Sequence, residues 1–189
     1  MTMMTNNIDR ESFDSVNPKE IFLRVESKAD AYLAQIDENL YINLIEDKSI
    51  FRNHPHYLAL RRNYGGNEDT NEIRIALNMP LLKRYAKECG FDRNRLEKEV
   101  EVSIFHEIGH GIVDYFRDMY EFGDDDDIED FFRQPKAASL MSACESDEES
   151  EVEDFGQWMA GLDGRQPVLD KLVIEWVDYW KIKESKSNK

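Results

Sequence analysis

Apolar residues recur at helical spacing in five stretches of the chain and alternate in shorter ones, a pattern that predicts an α+β domain. Asn17-Pro18-Lys19-Glu20 supplies an N-cap, a proline at the first helical position and an early acid. The helix it opens carries Ile21, Phe22, Val25, Ala29, Tyr32, Leu33 and Ile36 on one face. Leu40 to Ile45 alternates in part and reads as a strand. Tyr57 to Asn63 and Glu72 to Leu77 read as an antiparallel hairpin across the turn-rich run Gly65 to Asn71. A short helix follows Pro80 and ends at Gly90, and a long one opens at Asn94, with Glu97 three residues on, and runs to about Phe122 before Gly123. Two more are predicted, from Glu148 to Leu162 and from Val168 to Trp180. The expected architecture is a small antiparallel sheet packed on a long helix, with a second functional helix beside it. Residues 1–16 form a flexible leader, 17–182 a single domain and 183–189 a flexible tail.

Composition narrows the class. Ten Phe, eight Tyr and three Trp in 189 residues provide a sizeable core. No apolar run approaches the roughly 18 residues of a membrane span, and the chain opens without a basic-then-apolar signal, so a cytoplasmic protein without a membrane segment is expected. Cys89 and Cys144 form no Cys-x-x-Cys pair, which leaves neither a disulfide framework nor a thiolate metal site to expect. The net charge of −16 argues against nucleic acid as a partner, since phosphates would be repelled; a peptide or protein with basic segments would suit it better. Asp124 to Asp127 lacks the alternating ligands and glycine of an EF-hand, so solvated acid is the expected role.

The chemistry-bearing run is His106-Glu107-Ile108-Gly109-His110 in the long helix. At 100° per residue, His110 falls about 40°, Asp114 about 80° and Glu107 about 100° from His106, all on one side. Ile104, Phe105, Ile108, Ile112, Tyr115 and Phe116 fall between about 160° and 280°, a continuous apolar face for the core. Imidazoles four residues apart can converge on one zinc at about 2.0–2.1 Å from each nitrogen, with Glu107 displaced sideways as a general base.

Residues His106 to Tyr115 resemble the active-site helix of the thermolysin-like gluzincins, including the Asp114-Tyr115 pair. Val113 and Phe116 stand where a metzincin needs glycine and histidine. The resemblance implies a zincin-like metallopeptidase with one zinc per chain, hydrolysing peptide bonds with Glu107 as general base. A third ligand must come from elsewhere, since Asp114 lies about 12 Å along the axis from His106. Glu151-Val152-Glu153-Asp154-Phe155-Gly156 is similar to the second motif of the small metallopeptidases of the ImmA/IrrE family, with Glu153 in place of the usual amide. That register implies Glu151 as the ligand. Periodicity agrees, placing Glu148, Glu151, Val152, Phe155 and Met159 on one face and Glu149 and Glu153 on another, with Glu148 in reserve. Asp114 is a candidate to orient a ligand, His54 and His56 are candidates to stabilise an oxyanion or to ligate the metal, and Tyr57, Tyr64, Tyr115 and Tyr120 are further candidates to stabilise an oxyanion. Two alternatives remain open: a non-catalytic, zinc-stabilised protein and an acidic protein-interaction module without metal.

Overall fold

The computed structural model describes residues 13, 15–46, 48–62, 72–123 and 125–187. Helix α1 (Pro18–Leu33) opens as its sequence dictates, the Asn17 side chain accepting a hydrogen bond from Lys19 N at 3.1 Å, and it buries Ile21, Phe22, Val25, Ala29 and Leu33. Strand β1 (Tyr41–Leu44) follows, then a 3-10 turn (Lys48–Arg52), β2 (Ala59–Arg62) and β3 (Glu72–Leu77). Helices α2 (Met79–Glu88), α3 (Arg93–Phe122), α4 (Asp126–Phe132), α5 (Pro135–Ser146), α6 (Glu148–Met159) and α7 (Val168–Ser187) complete the chain.

The sheet order is β1-β3-β2, with β2 antiparallel to β3, as the hairpin pattern predicts. The tip Gly65 to Asn71 lies outside the described residues. The expectation of a wholly antiparallel sheet is corrected: β1 runs parallel to β3, pairing Tyr41 with Glu72 through Leu44 with Ile75. Alternation reports which face a strand buries, not the direction of its neighbour, so the four residues of β1 carried no signal of their orientation.

Other boundaries moved for local reasons. Asp92, not Asn94, caps α3, accepting from Arg95 N at 2.8 Å. Asp125 of the acidic run caps α4 in the same way, through Asp127 N at 2.8 Å. Helices α4 and α5 were not anticipated, and α7 continues to Ser187, taking most of the expected tail into the helix. From the expected leader, Phe13 and Val16 are buried in the core.

Helix α3 is the axis of the molecule. Leu96, Val100, Ile104, Phe105, Ile108, Ile112, Val113 and Phe116 are all essentially sealed from solvent. At its far end Phe116 meets Trp176 of α7 at 5.5 Å between ring centroids, and Phe131 of α4 meets the same indole at 5.1 Å. Along its middle runs α6, and two glycines allow the close approach. A Cβ at Gly109 would stand 3.1 Å from Val152, and one at Gly156 would stand 3.0 Å from Val102 O and 3.1 Å from His106 N. On the sheet side, a Cβ at Gly111 would collide with Ile73 of β3 at 2.6 Å. The chemistry-bearing turn of α3 is thus clamped between β3 and α6. No helix among the described residues is long and apolar enough to cross a membrane.

Candidate metal centre

His106 and His110 lie one turn apart on α3, their rings edge to face at 4.8 Å between centroids. Their side chains are only 20% and 16% exposed, so both have shed most of their water and need bonded partners. Helix α6 supplies those partners. Glu149 faces both imidazoles, with Oε2 3.8 Å from His106 Nε2 and Oε1 3.6 Å from His110 Nε2. His106, His110 and Glu149 form a group whose donor atoms all lie within 4.8 Å of one another.

The remaining ring nitrogens also meet carboxylates. His110 Nδ1 lies 2.6 Å from Glu148 Oε1, a short hydrogen bond to a charged acceptor. His106 Nδ1 lies 3.5 Å from Glu153 Oε2, long for a hydrogen bond, and is fully buried. Burial pulls the His106 pKa down, but Glu153, Glu107 and Glu149 outweigh it and hold the imidazole above its ordinary value. The His106 contact in turn holds Glu153 below the usual carboxylate range. For Glu148, burial works upwards, yet His110 and Arg117 together keep the carboxyl low. Glu107 is 7% exposed, between the two histidines in sequence and on the flank of the same face.

A tetrahedral zinc with donors at about 2.0–2.1 Å holds those donors roughly 3.3–3.4 Å from one another. The contacts of 3.6 and 3.8 Å, each to a different Glu149 oxygen, are within a few tenths of that spacing, and with its donor atoms all inside 4.8 Å the group is close enough to share a metal ion. The Glu148 carboxylate on His110 Nδ1 fits it too, because it would fix the tautomer that leaves Nε2 of that ring as the ligating atom.

The histidines and Glu107 stand where the sequence puts them, but Glu151 does not join them. Its Oε2 accepts a hydrogen bond from Val168 N at 3.2 Å, capping the first turn of α7. Glu148, the reserve candidate, is on His110 Nδ1 instead of in the ligand group. The face shared with Val152, Phe155 and Met159 points into the core, and the histidines lie at the rim of the α3–α6 seam, reached from the flank by Glu149 and Glu153. Asp114 accepts from Arg117 Nη1 at 2.7 Å. Arg117, which sequence reasoning passed over, also donates to Glu148 Oε2 at 2.8 Å. Its spacing of seven from His110, two turns along the same helix, was the available signal.

The other candidates lie apart from this group. His54 and His56 are exposed in the loop before β2, His54 against the Tyr57 ring at 5.5 Å. Tyr115 donates to Asp37 at 3.2 Å, Tyr120 packs on Phe132, and Tyr64 lies outside the described residues. A cavity of about 790 Å³ opens between the start of α1 and the ends of β1 and β3, and none of the metal-site residues line it.

Compared with known proteins, the chain matches no protein-family model, no curated protein and no solved structure at significant similarity.

Proposed function

We propose that the chain is a zinc-dependent peptidase whose metal is held by His106, His110 and Glu149 and whose general base is Glu107. The observation that carries this reading is the three-sided carboxylate arrangement. Glu149 faces both Nε2 atoms, and Glu148 and Glu153 sit on the two Nδ1 sides. Buried imidazoles paired only for salt bridging would not need their second nitrogens oriented.

Zinc bound there supplies Lewis acidity towards water and a substrate carbonyl. Glu107, the residue after His106 and itself buried, is the group that would take the proton of the attacking water and return it to the leaving amine. Glu148 holds the His110 ring by a hydrogen bond, and the Glu153 charge stands on the Nδ1 side of His106. Exposed acids around the site, Glu149 at 79% and Glu153 at 49%, favour a substrate with basic segments near the scissile bond.

Metal analysis of protein purified without added zinc, followed by assays on unstructured peptides, tests the proposal. About one zinc per chain is expected, with Glu107→Gln retaining the metal and losing at least roughly 10²-fold in hydrolysis. A Glu107→Gln protein as active as the parent would sink the mechanism. Zinc without cleavage by the parent would select the structural-metal alternative, and no zinc at all the acidic interaction module.

A further inference from the structure

A chain of contacts leads away from the candidate metal group along the α3–α6 seam. Glu148 divides its two oxygens, Oε1 to His110 Nδ1 at 2.6 Å and Oε2 to Arg117 Nη2 at 2.8 Å. Arg117 turns its other amino group to Asp114 Oδ1 at 2.7 Å and also faces Glu145 at 3.7 Å. A carboxylate on a helix of its own would rotate freely about its last torsion. Bonded at both oxygens, with the guanidinium itself braced by Asp114 one turn back, Glu148 is fixed in plane and reach. A charged acceptor fixed at Nδ1 takes the ring proton there, which makes Nε2, on the Glu149 side, the nitrogen a metal ion would use.

We infer that Arg117 is a positioning residue of the metal site, setting the ring orientation and tautomer of His110 through Glu148. The inference rests on the metal reading above. It has a sign that simple electrostatics does not share. Arg117 is a cation on the flank of a cation site, so removing its charge should tighten zinc by reducing repulsion. Loss of positioning should weaken it.

The test is zinc affinity measured by competition with a chromophoric chelator on the parent, Arg117→Gln, Arg117→Lys and Asp114→Asn proteins. Far-UV circular dichroism and metal-free melting would be recorded alongside. Arg117→Gln should bind zinc about 10–100-fold more weakly, the usual range for losing an outer-shell partner. Arg117→Lys, which keeps the charge but not the fork, should fall between it and the parent. Asp114→Asn should lose less than Arg117→Gln, and it serves where that variant does not fold. Arg117→Gln affinity equal to or tighter than the parent's, or no loss in Asp114→Asn where only that variant folds, would overturn the inference while leaving the metal reading intact. A parent that binds no zinc would overturn both.

Discussion

At the scale of single residues, the sharpest consequence is the exchange of Glu151 for Glu149. Glu149→Gln should lower zinc affinity most among the acids of α6. Glu148→Gln and Glu153→Gln should cost about 10–100-fold, as partners of ligands and not ligands themselves. Glu151→Gln should leave zinc affinity near the parent's and instead cost up to about 1 kcal/mol of stability, because its amide oxygen can still accept from Val168 N but lacks the charge that favours the start of α7. Chelator competition and urea unfolding on the same four proteins separate the two effects. A zinc affinity that collapses only in Glu151→Gln would restore the family register. His106 adds a pH dependence of two signs. Its folded pKa is raised, so in metal-free protein its contribution to stability is complete below about pH 6.5 and fades as the pH climbs through the higher folded value. Zinc needs the neutral ring, so metal affinity should instead rise over that window. Comparison of the parent with His106→Gln, with chelator and with zinc, should show the two trends opposed.

At the scale of elements, the site depends on how closely α6 can lie on α3. Gly156 faces backbone atoms of Val102 and His106, which have no side-chain freedom with which to yield. Alanine normally improves a helix interior by about 1 kcal/mol over glycine. Here Gly156→Ala should instead destabilise the protein by roughly 1–3 kcal/mol through overpacking, and weaken zinc by prising Glu149 from the histidines. Gly164→Ala, with nothing within 4 Å of the added carbon, should be close to neutral. Chemical denaturation of the two variants checks the contrast, and equal stabilities would show that the seam can open without cost. The element scale also shows why α4 and α5 escaped sequence reading. Asp126–Phe132 has seven residues and only two buried side chains, too short for a periodicity to register. Pro135–Ser146 is Ser- and Ala-rich, with buried positions only at Ala137, Met141 and Cys144.

At the scale of the whole molecule, a zinc ion held by His106, His110 and Glu149 as proposed would join α3 to α6 and so couple to global stability. An ion that binds only the folded chain stabilises it by about 2.7 kcal/mol at a hundredfold excess over its dissociation constant. The parent should therefore melt higher in zinc than in chelator, with a midpoint that depends on free zinc, and His110→Ala should show neither effect. Calorimetric scans across a zinc series test this, and a parent indifferent to zinc would refute a stoichiometric site. Buried Cys144 should take no part: burial, with Glu151, Glu145 and Glu148 nearby, pushes its thiol up to about 12, so alkylation should reach Cys89 first.

What the sequence by itself determined is whatever depends on short-range periodicity and local chemistry. This covers the extent of α3 to within two residues, its apolar face, the β2–β3 hairpin, the caps at Asn17 and Gly90, and the placing of His106, Glu107 and His110 on one side of one helix. These follow because residues four apart on a helix, or facing each other across a turn, have their geometry fixed by the backbone alone. Tertiary structure decided the direction of β1, the existence of α4 and α5, the placing of Glu149 and not Glu151 beside the histidines, and the contact of Arg117 with Glu148. Each of those turns on where a second element lies relative to the first. Helical periodicity identifies which side of α6 is buried, but the histidines sit at the edge of the seam. The acid that reaches them is set by the depth at which Gly109 and Gly156 let the two helices meet.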